Sequence, residues 1–86
     1  MMQKVRFQHP IWEEQFIELD IDPSMNFKQI TELLIREKFI RPKRGAYQYI
    51  INDRVTSLPE PLASYIPDPA PERLDVRVHG LLVILT

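Results

Sequence analysis

The chain has 86 residues, of which 44% are hydrophobic and 27% charged, with a formal net charge of −1 and no cysteine. These values suit a single globular domain over residues 1–86. They exclude disulfides and zinc–thiolate sites, and the charge gives no reason to expect a nucleic-acid partner. The first residues form no apolar signal segment, and the apolar run at residues 81–85 is too short to span a bilayer. We therefore expect a cytoplasmic protein with no membrane insertion.

Two alternating runs open the chain. In residues 3–9, Val5 and Phe7 fall on one face and polar side chains on the other. In residues 16–21 the aliphatic side chains face one way, while Phe16 and two acidic residues face the other. Such alternation is typical of half-buried strands, and the short connection predicts that the two runs pair as a hairpin.

A helix is predicted over residues 26–40. Asn26 is a good N-cap, and Gln29 stands where it can complete a capping box. The apolar residues recur on one helical face. They are Phe27, Ile30, Leu33 and Leu34. Pro42 disfavours helical geometry at Arg41, so we expect the helix to end by then.

The second half of the chain alternates strand and loop signals. Residues 47–51, rich in aromatic and β-branched side chains, predict a strand followed by a turn at residues 52–54. Residues 59–71 carry five prolines. This stretch predicts an ordered loop, because proline lacks the amide that a central strand needs. Strands, one long helix and further strands in this order indicate an α+β fold.

Several motifs occur together with this order of elements. They are the hairpin, Asp22-Pro23-Ser24-Met25-Asn26-Phe27 at the helix start, Ile40-Arg41-Pro42 at its exit, and Leu62-Ala63-Ser64-Tyr65-Ile66. Together they resemble the ubiquitin-like β-grasp family, whose Leu-x-x-Tyr-x-Ile turn the last motif matches. The resemblance implies a mixed four- to five-stranded sheet with one main helix packed on one face. Val78-His79-Gly80 and the apolar residues after it also resemble the small ubiquitin-like proteins associated with bacterial type VII secretion.

The carboxyl end departs from part of that family. Ubiquitin and the related sulfur carriers end in Gly-Gly, whereas this sequence ends in Leu82-Val83-Ile84-Leu85-Thr86. We therefore expect a non-catalytic ubiquitin-like interaction module or adaptor, which the resemblance connects with a bacterial secretion system. The alternative is a modifier or sulfur carrier whose Gly-Gly tail is absent from this sequence.

The sequence shows no arrangement of catalytic residues. His9 and His79 stand at strand ends, outside any metal-ligand spacing. The serines lack a nucleophile motif, and Gly45 and Gly80 are too few for a phosphate-binding loop. We expect no catalytic residue, no metal, no cofactor and no enzymatic activity.

The strongest charge feature is a basic segment at the predicted helix exit. It contains Arg36, Lys38, Arg41, Lys43 and Arg44. Exposed carbonyls at a helix C-terminus are sufficient to explain cations there. A second alternative is a small RNA-binding protein, with Arg41, Lys43 and Arg44 as anion or nucleic-acid contacts. The acidic residues at positions 13–22 disfavour it.

The outer face of the sheet is the predicted partner-binding surface. If Tyr49 and Ile51 point inward, Ile50 points outward by strand alternation, on the same face as Phe16. Two exposed apolar residues there would form a contact site for a protein partner. The alternative is that they are isolated surface residues, which are common.

Residues 81–85 have no polar position and leave two registers open for the last strand. In the first register they form the central strand, and Leu81, Val83 and Leu85 join Ile50 on the outer face. That register predicts a homodimer or a tight protein partner. In the second, residues 74–78 enter the core and residues 81–86 form an added edge strand, available for β-addition.

Overall fold

The structure is a computed structural model that describes residues 2–42 and 47–80. Within these residues, five strands form one mixed sheet and one α-helix packs against it. The elements in chain order are β1 (Gln3–Gln8), β2 (Phe16–Ile21), α1 (Phe27–Arg36), β3 (Tyr47–Ile51), β4 (Arg54–Val55), a 3₁₀ helix (Leu62–Tyr65) and β5 (Arg73–Gly80).

The sheet order is β2-β1-β5-β3-β4, which places β5 at the centre. β1 pairs antiparallel with β2 and parallel with β5, and β3 pairs antiparallel with both β5 and β4. Parallel neighbours need a long crossover, and the chain between β1 and β5 supplies one that includes the helix. The predicted mixed four- to five-stranded sheet with one helix is confirmed.

The core lies between α1 and the inner face of the sheet. The fully buried side chains come from both layers, and each contributes roughly 1.5–3 kcal/mol by leaving water. They include Val5, Phe7, Ile21, Phe27, Ile30, Leu34, Tyr49 and Leu62.

The start of α1 agrees with the prediction, and its end does not. Asn26 Oδ1 accepts a hydrogen bond from the backbone amide of Gln29 at 2.9 Å. Gln29 Oε1 accepts one from the backbone amide of Asn26 at 3.0 Å, which completes the capping box. The helix ends at Arg36, before the predicted Ile40. Lys38 adopts a left-handed φ of 60°, which turns the chain away well before Pro42 can act.

The central-strand prediction for residues 81–85 is wrong. β5 occupies that place and pairs with β1, Leu74 opposite Val5 and Val76 opposite Phe7. Three apolar side chains of β5 are buried: Leu74, Val76 and Val78. They alternate along the strand with polar or charged residues, so one face of β5 packs in the core and the other meets solvent. Leu81, Val83 and Leu85 lie outside the described residues, and the edge-strand prediction stays a prediction.

The proline-rich segment is the ordered loop that the sequence predicts. Leu62 is fully buried, and its amide donates to the carbonyl of Met25 at 2.8 Å, just before the helix. Three further side chains pack partly buried against the core: Leu58, Tyr65 and Ile66. The loop is therefore attached to the helix N-terminus and closes that end of the core.

Candidate protein-binding face

One row of residues crosses the whole sheet on its outer face. The register aligns one residue from each strand: Phe16, Gln8, Arg77, Ile50 and Val55. Directly opposed residues of neighbouring strands point to the same face. Because Tyr49 and Ile51 are buried in the core, Ile50 and its whole row face outward. We call these five residues the outer row.

The two predicted contact residues share this face without touching. Three strand spacings separate Phe16 from Ile50, about 14 Å between their backbones. Gln8 and Arg77 lie between them. All four residues line one shallow surface depression of about 390 Å³. The site is therefore a band with apolar ends and a polar middle.

Arg6 stacks on the Phe16 ring at one end of this band. Its guanidinium carbon lies 3.7 Å from the centroid of the Phe16 ring, the geometry of a cation–π contact. Phe16 remains 44% exposed. The stacked guanidinium limits the ring's freedom, so a partner would meet a ring that is already oriented.

Rows of charged residues of both signs continue along the same face. The next row contains Glu18, Arg6 and Asp75, and the row after it contains Asp20, Lys4 and Arg73. Arg73 and Asp75 form an ion pair at 3.1 Å that is open to solvent. The outer face thus combines apolar side chains at the ends of the outer row with charged side chains beside it.

Val55 belongs to this site and was missed by the sequence-based prediction. It lies opposite Ile50 and is 57% exposed. Asn52 and Asp53 both have left-handed backbones, with φ of 51° and 64°, the pattern of a two-residue hairpin turn. The Asn52-Asp53 pair was the signal in the sequence from which Val55 could have been predicted. A two-residue turn at this pair places Val55, the second residue after the turn, opposite Ile50.

Of the predicted basic contacts, the structure describes Arg41, which is not on this face. Arg41 is exposed in the segment after α1, where it lines a different pocket. Lys43 and Arg44 lie outside the described residues, as do Leu81, Val83 and Leu85. Phe16 and Ile50 are therefore the predicted partner-binding residues that the structure brings to one surface.

Among the residues that the structure describes, two ionisable groups, Asp22 and Tyr49, have a shifted pKa, and in both the cause is local structure. Burial raises the pKa of Tyr49 to about 12. A hydrogen bond from the Ser24 backbone amide, at 2.9 Å, lowers the pKa of the exposed Asp22 carboxyl. Neither group lines the depression on the outer face. Over residues 2–42 and 47–80, no group of three or more His, Asp or Glu side chains could hold a metal ion.

Known proteins resemble this chain in structure rather than in sequence. No family model and no curated protein matches it. The ubiquitin of Caldiarchaeum subterraneum superposes with a TM-score of 0.70 at 13% identity, covering 99% of this chain and 100% of that one. A designed protein based on ubiquitin superposes with a TM-score of 0.66 at 16% identity, covering 93% and 96%. The fold is thus a ubiquitin-like β-grasp. No helix in the described part of the chain is long and apolar enough to cross a membrane.

Proposed function

We propose that this small ubiquitin-like protein is a non-catalytic interaction module, an adaptor that binds a protein partner through the outer face of its sheet. The observation that carries the proposal is the outer row, in which Phe16, Ile50 and Val55 are presented to one side on paired strands. Burial of the exposed part of each side chain in a contact would contribute a fraction of the roughly 1.5–3 kcal/mol that complete burial gives.

The surroundings of these three residues favour a protein as the partner. Charges of both signs stand together on the face, so a nucleic-acid backbone would meet the carboxylates of Glu18, Asp20 and Asp75 as well as the cations. Gln8 and Arg77 offer hydrogen-bond donors between the apolar ends. A partner with a complementary band of apolar, polar and apolar groups fits this pattern.

Affinity capture tests the face. Wild-type protein should retain partners that the double variant Phe16→Ala/Ile50→Ala loses, because the variant removes both apolar ends of the outer row. Met2→Ala is the control, since Met2 is also an exposed apolar residue and lies outside the outer row. Identical partner sets for wild type and double variant would contradict the site.

A homodimer is one form that this contact can take. Two copies would place the outer row of one against that of the other, and burial of the apolar ends would hold them together. Sedimentation equilibrium of wild type and of Phe16→Ala/Ile50→Ala measures this directly. A wild-type chain that remains monomeric at high concentration contradicts the homodimer, while the capture experiment above still tests a separate partner.

The proposed biological setting is a bacterial secretion system. It is supported by the resemblance of residues 78–80 and the apolar residues after them to small proteins associated with type VII secretion. Co-purification with a secretion ATPase, or genes for one beside the encoding gene, would support it. The cytoplasmic location stays a prediction, which cell fractionation tests.

Covalent modification is the alternative function. The structural likeness to the ubiquitin of Caldiarchaeum subterraneum favours it. A modifier or sulfur carrier would need a Gly-Gly tail, so an encoding reading frame that continues to Gly-Gly would support this alternative. Adducts formed with cell proteins in the presence of ATP would then identify a modifier. RNA binding, the other alternative, predicts salt-dependent binding that Lys43→Glu/Arg44→Glu abolishes.

A further inference from the structure

We propose a second binding site, separate from the outer face, that takes an acidic peptide segment carrying an apolar anchor residue from a partner protein. The site is a pocket of about 420 Å³ between the β1–β2 loop (residues 9–15), the segment after α1 and the first residue of β3. We call it the loop pocket. It shares no lining residue with the depression on the outer face.

The β1–β2 loop is built to present two large apolar side chains. His9 Nδ1 accepts from the backbone amides of Ile11 and Trp12, both at 3.0 Å. Two backbone hydrogen bonds close the loop: the Gln15 backbone amide donates to the Trp12 carbonyl at 3.0 Å, and the His9 backbone amide donates to the Gln15 backbone carbonyl at 2.9 Å. This bonded loop leaves Ile11 71% exposed and Trp12 54% exposed. A fixed backbone beneath exposed apolar groups lowers the entropy lost when a partner binds them.

The remaining wall of the loop pocket is apolar and closely packed. Phe39 meets the His9 ring edge-on, with centroids 5.2 Å apart. Ile40 and Tyr47 are buried, and the Tyr47 hydroxyl donates to the Arg41 carbonyl at 2.6 Å. An apolar anchor residue of a partner would therefore contact Trp12 on one side and this wall on the other.

The charged side chains that line the loop pocket are basic. Among the described residues, Lys38 and Arg41 line it, whereas Glu13 and Glu14, which belong to the β1–β2 loop itself, do not. Both cations are exposed, which leaves them available to carboxylates. Lys38 also has a left-handed backbone, where glycine would be accommodated more easily. A lysine at this position places a charge at the pocket in spite of that conformational preference.

These features favour an acidic peptide over a nucleic acid. A peptide can place one or two carboxylates on Lys38 and Arg41 and one apolar side chain against Trp12. A nucleic acid would extend a row of phosphates past Glu13 and Glu14, whose charge repels it.

Selection from a display library of random short peptides provides the first test. Peptides are selected on the wild-type chain and counter-selected on the double variant Trp12→Ala/Arg41→Glu. We expect the survivors to combine Asp or Glu with an aromatic or large aliphatic residue. Survivors that are neutral or basic, or no survivors that depend on these residues, would overturn the proposal.

Binding of a synthetic selected peptide provides the second test. Trp12 is the single tryptophan of the chain, so its emission reports on this site alone. Anisotropy of the labelled peptide should show an affinity at least about tenfold weaker for Lys38→Gly and for Arg41→Glu. Lys38→Arg, which keeps the charge, should retain most of the affinity. Loss of affinity in Lys38→Gly without loss of folding separates a binding role from a structural one.

Further controls distinguish this site from the proposed function. Phe16→Ala/Ile50→Ala should bind the peptide as wild type does, and its loss of partners in the capture experiment concerns the outer face alone. Equal affinity of Lys38→Gly and wild type would overturn the loop pocket and leave the outer face untouched. Tighter binding of a single-stranded oligonucleotide than of the peptide would also overturn it.

Discussion

Lys38 lies just after the end of α1 and has a left-handed backbone conformation, which glycine adopts more easily. The Phe39 amide donates to the Leu34 carbonyl at 3.0 Å, and the Lys38 amide donates to the Ile35 carbonyl at 3.0 Å. These two bonds form a Schellman motif, in which the left-handed residue at the turn is usually glycine. The motif also brings Phe39 back over the end of the helix, beside His9.

Replacement of Lys38 by glycine should stabilise the fold. Lys38→Gly removes the steric penalty at φ 60° and should raise the free energy of unfolding by about 0.5–1 kcal/mol. Lys38→Ala is the matched control, because it removes the charge and keeps the β-carbon. Urea denaturation compares the three chains. Equal stability of the glycine and alanine variants would contradict this account of the helix end.

Tyr49 is the residue at which pH should act on stability. Thr31 Oγ1 donates its one hydrogen to the Phe27 carbonyl at 2.7 Å, so the Tyr49 hydroxyl donates to Thr31 Oγ1 at 2.5 Å. An ionised Tyr49 could not donate, and it would carry its charge into the core. Its pKa of about 12 in the folded state compares with 10.0 as the ordinary value.

This shift predicts a loss of stability at alkaline pH. The contribution is fully present below pH 10 and is lost as the pH rises towards 12, because the unfolded chain releases the proton first. The loss amounts to roughly 2–3 kcal/mol. Tyr49→Phe should lack this component, since phenylalanine does not ionise. Urea unfolding of both chains across the window measures the difference, and parallel curves would contradict the assignment to Tyr49.

At the scale of elements, the N-terminus of α1 joins the helix to the rest of the fold. Asn26 and Gln29 satisfy each other's backbone amides, and the Phe27 amide donates to the Leu58 carbonyl at 3.1 Å. The first turn therefore has partners both within the helix and in the loop before the 3₁₀ helix.

Loss of the N-cap should destabilise the protein measurably. Asn26→Ala removes the acceptor for the Gln29 amide and should lower the free energy of unfolding by about 1 kcal/mol. Lys28→Ala, an exposed change in the same turn, should have little effect. Thermal unfolding followed by circular dichroism compares them. Equal melting temperatures for the two variants would show that the capping box contributes nothing beyond the rest of the turn.

At the scale of the whole molecule, β5 is the strand on which the fold depends. It joins the hairpin of β1 and β2 to β3 and β4, and it contributes Leu74, Val76 and Val78 to the core. Removal of three buried side chains, at roughly 1.5–3 kcal/mol each, would take away much of the about 5–15 kcal/mol by which a domain is stable.

Two truncations test this dependence. A chain cut after Gly80 keeps all of β5 and should unfold cooperatively in urea. A chain cut after Pro71 loses β5 and should be unfolded. If the first chain is also unfolded, residues 81–86 contribute more to the core than the pairing of β5 accounts for, and the position of the last strand would need revision.

The sequence alone determined β1, β2, the start of α1 and β3, together with the faces of these strands. Alternation and the capping box depend on residues a few positions apart, so a strand or a helix start can be predicted locally. The outward direction of Phe16 and Ile50 followed from the same alternation. The early end of α1 was not predicted. It depends on the left-handed conformation of Lys38, and glycine or asparagine, the residues that usually indicate this conformation, do not occur there.

Only the tertiary structure decided which run became the last strand, how far apart Phe16 and Ile50 lie, and where Trp12 is exposed. Each of these depends on pairings between distant residues, such as Val5 with Leu74 and Gln8 with Arg77. The loop pocket likewise forms only when the β1–β2 loop folds beside the end of the helix. Local propensity carries no information about such contacts, because their free energy comes from the packing of both partners at once.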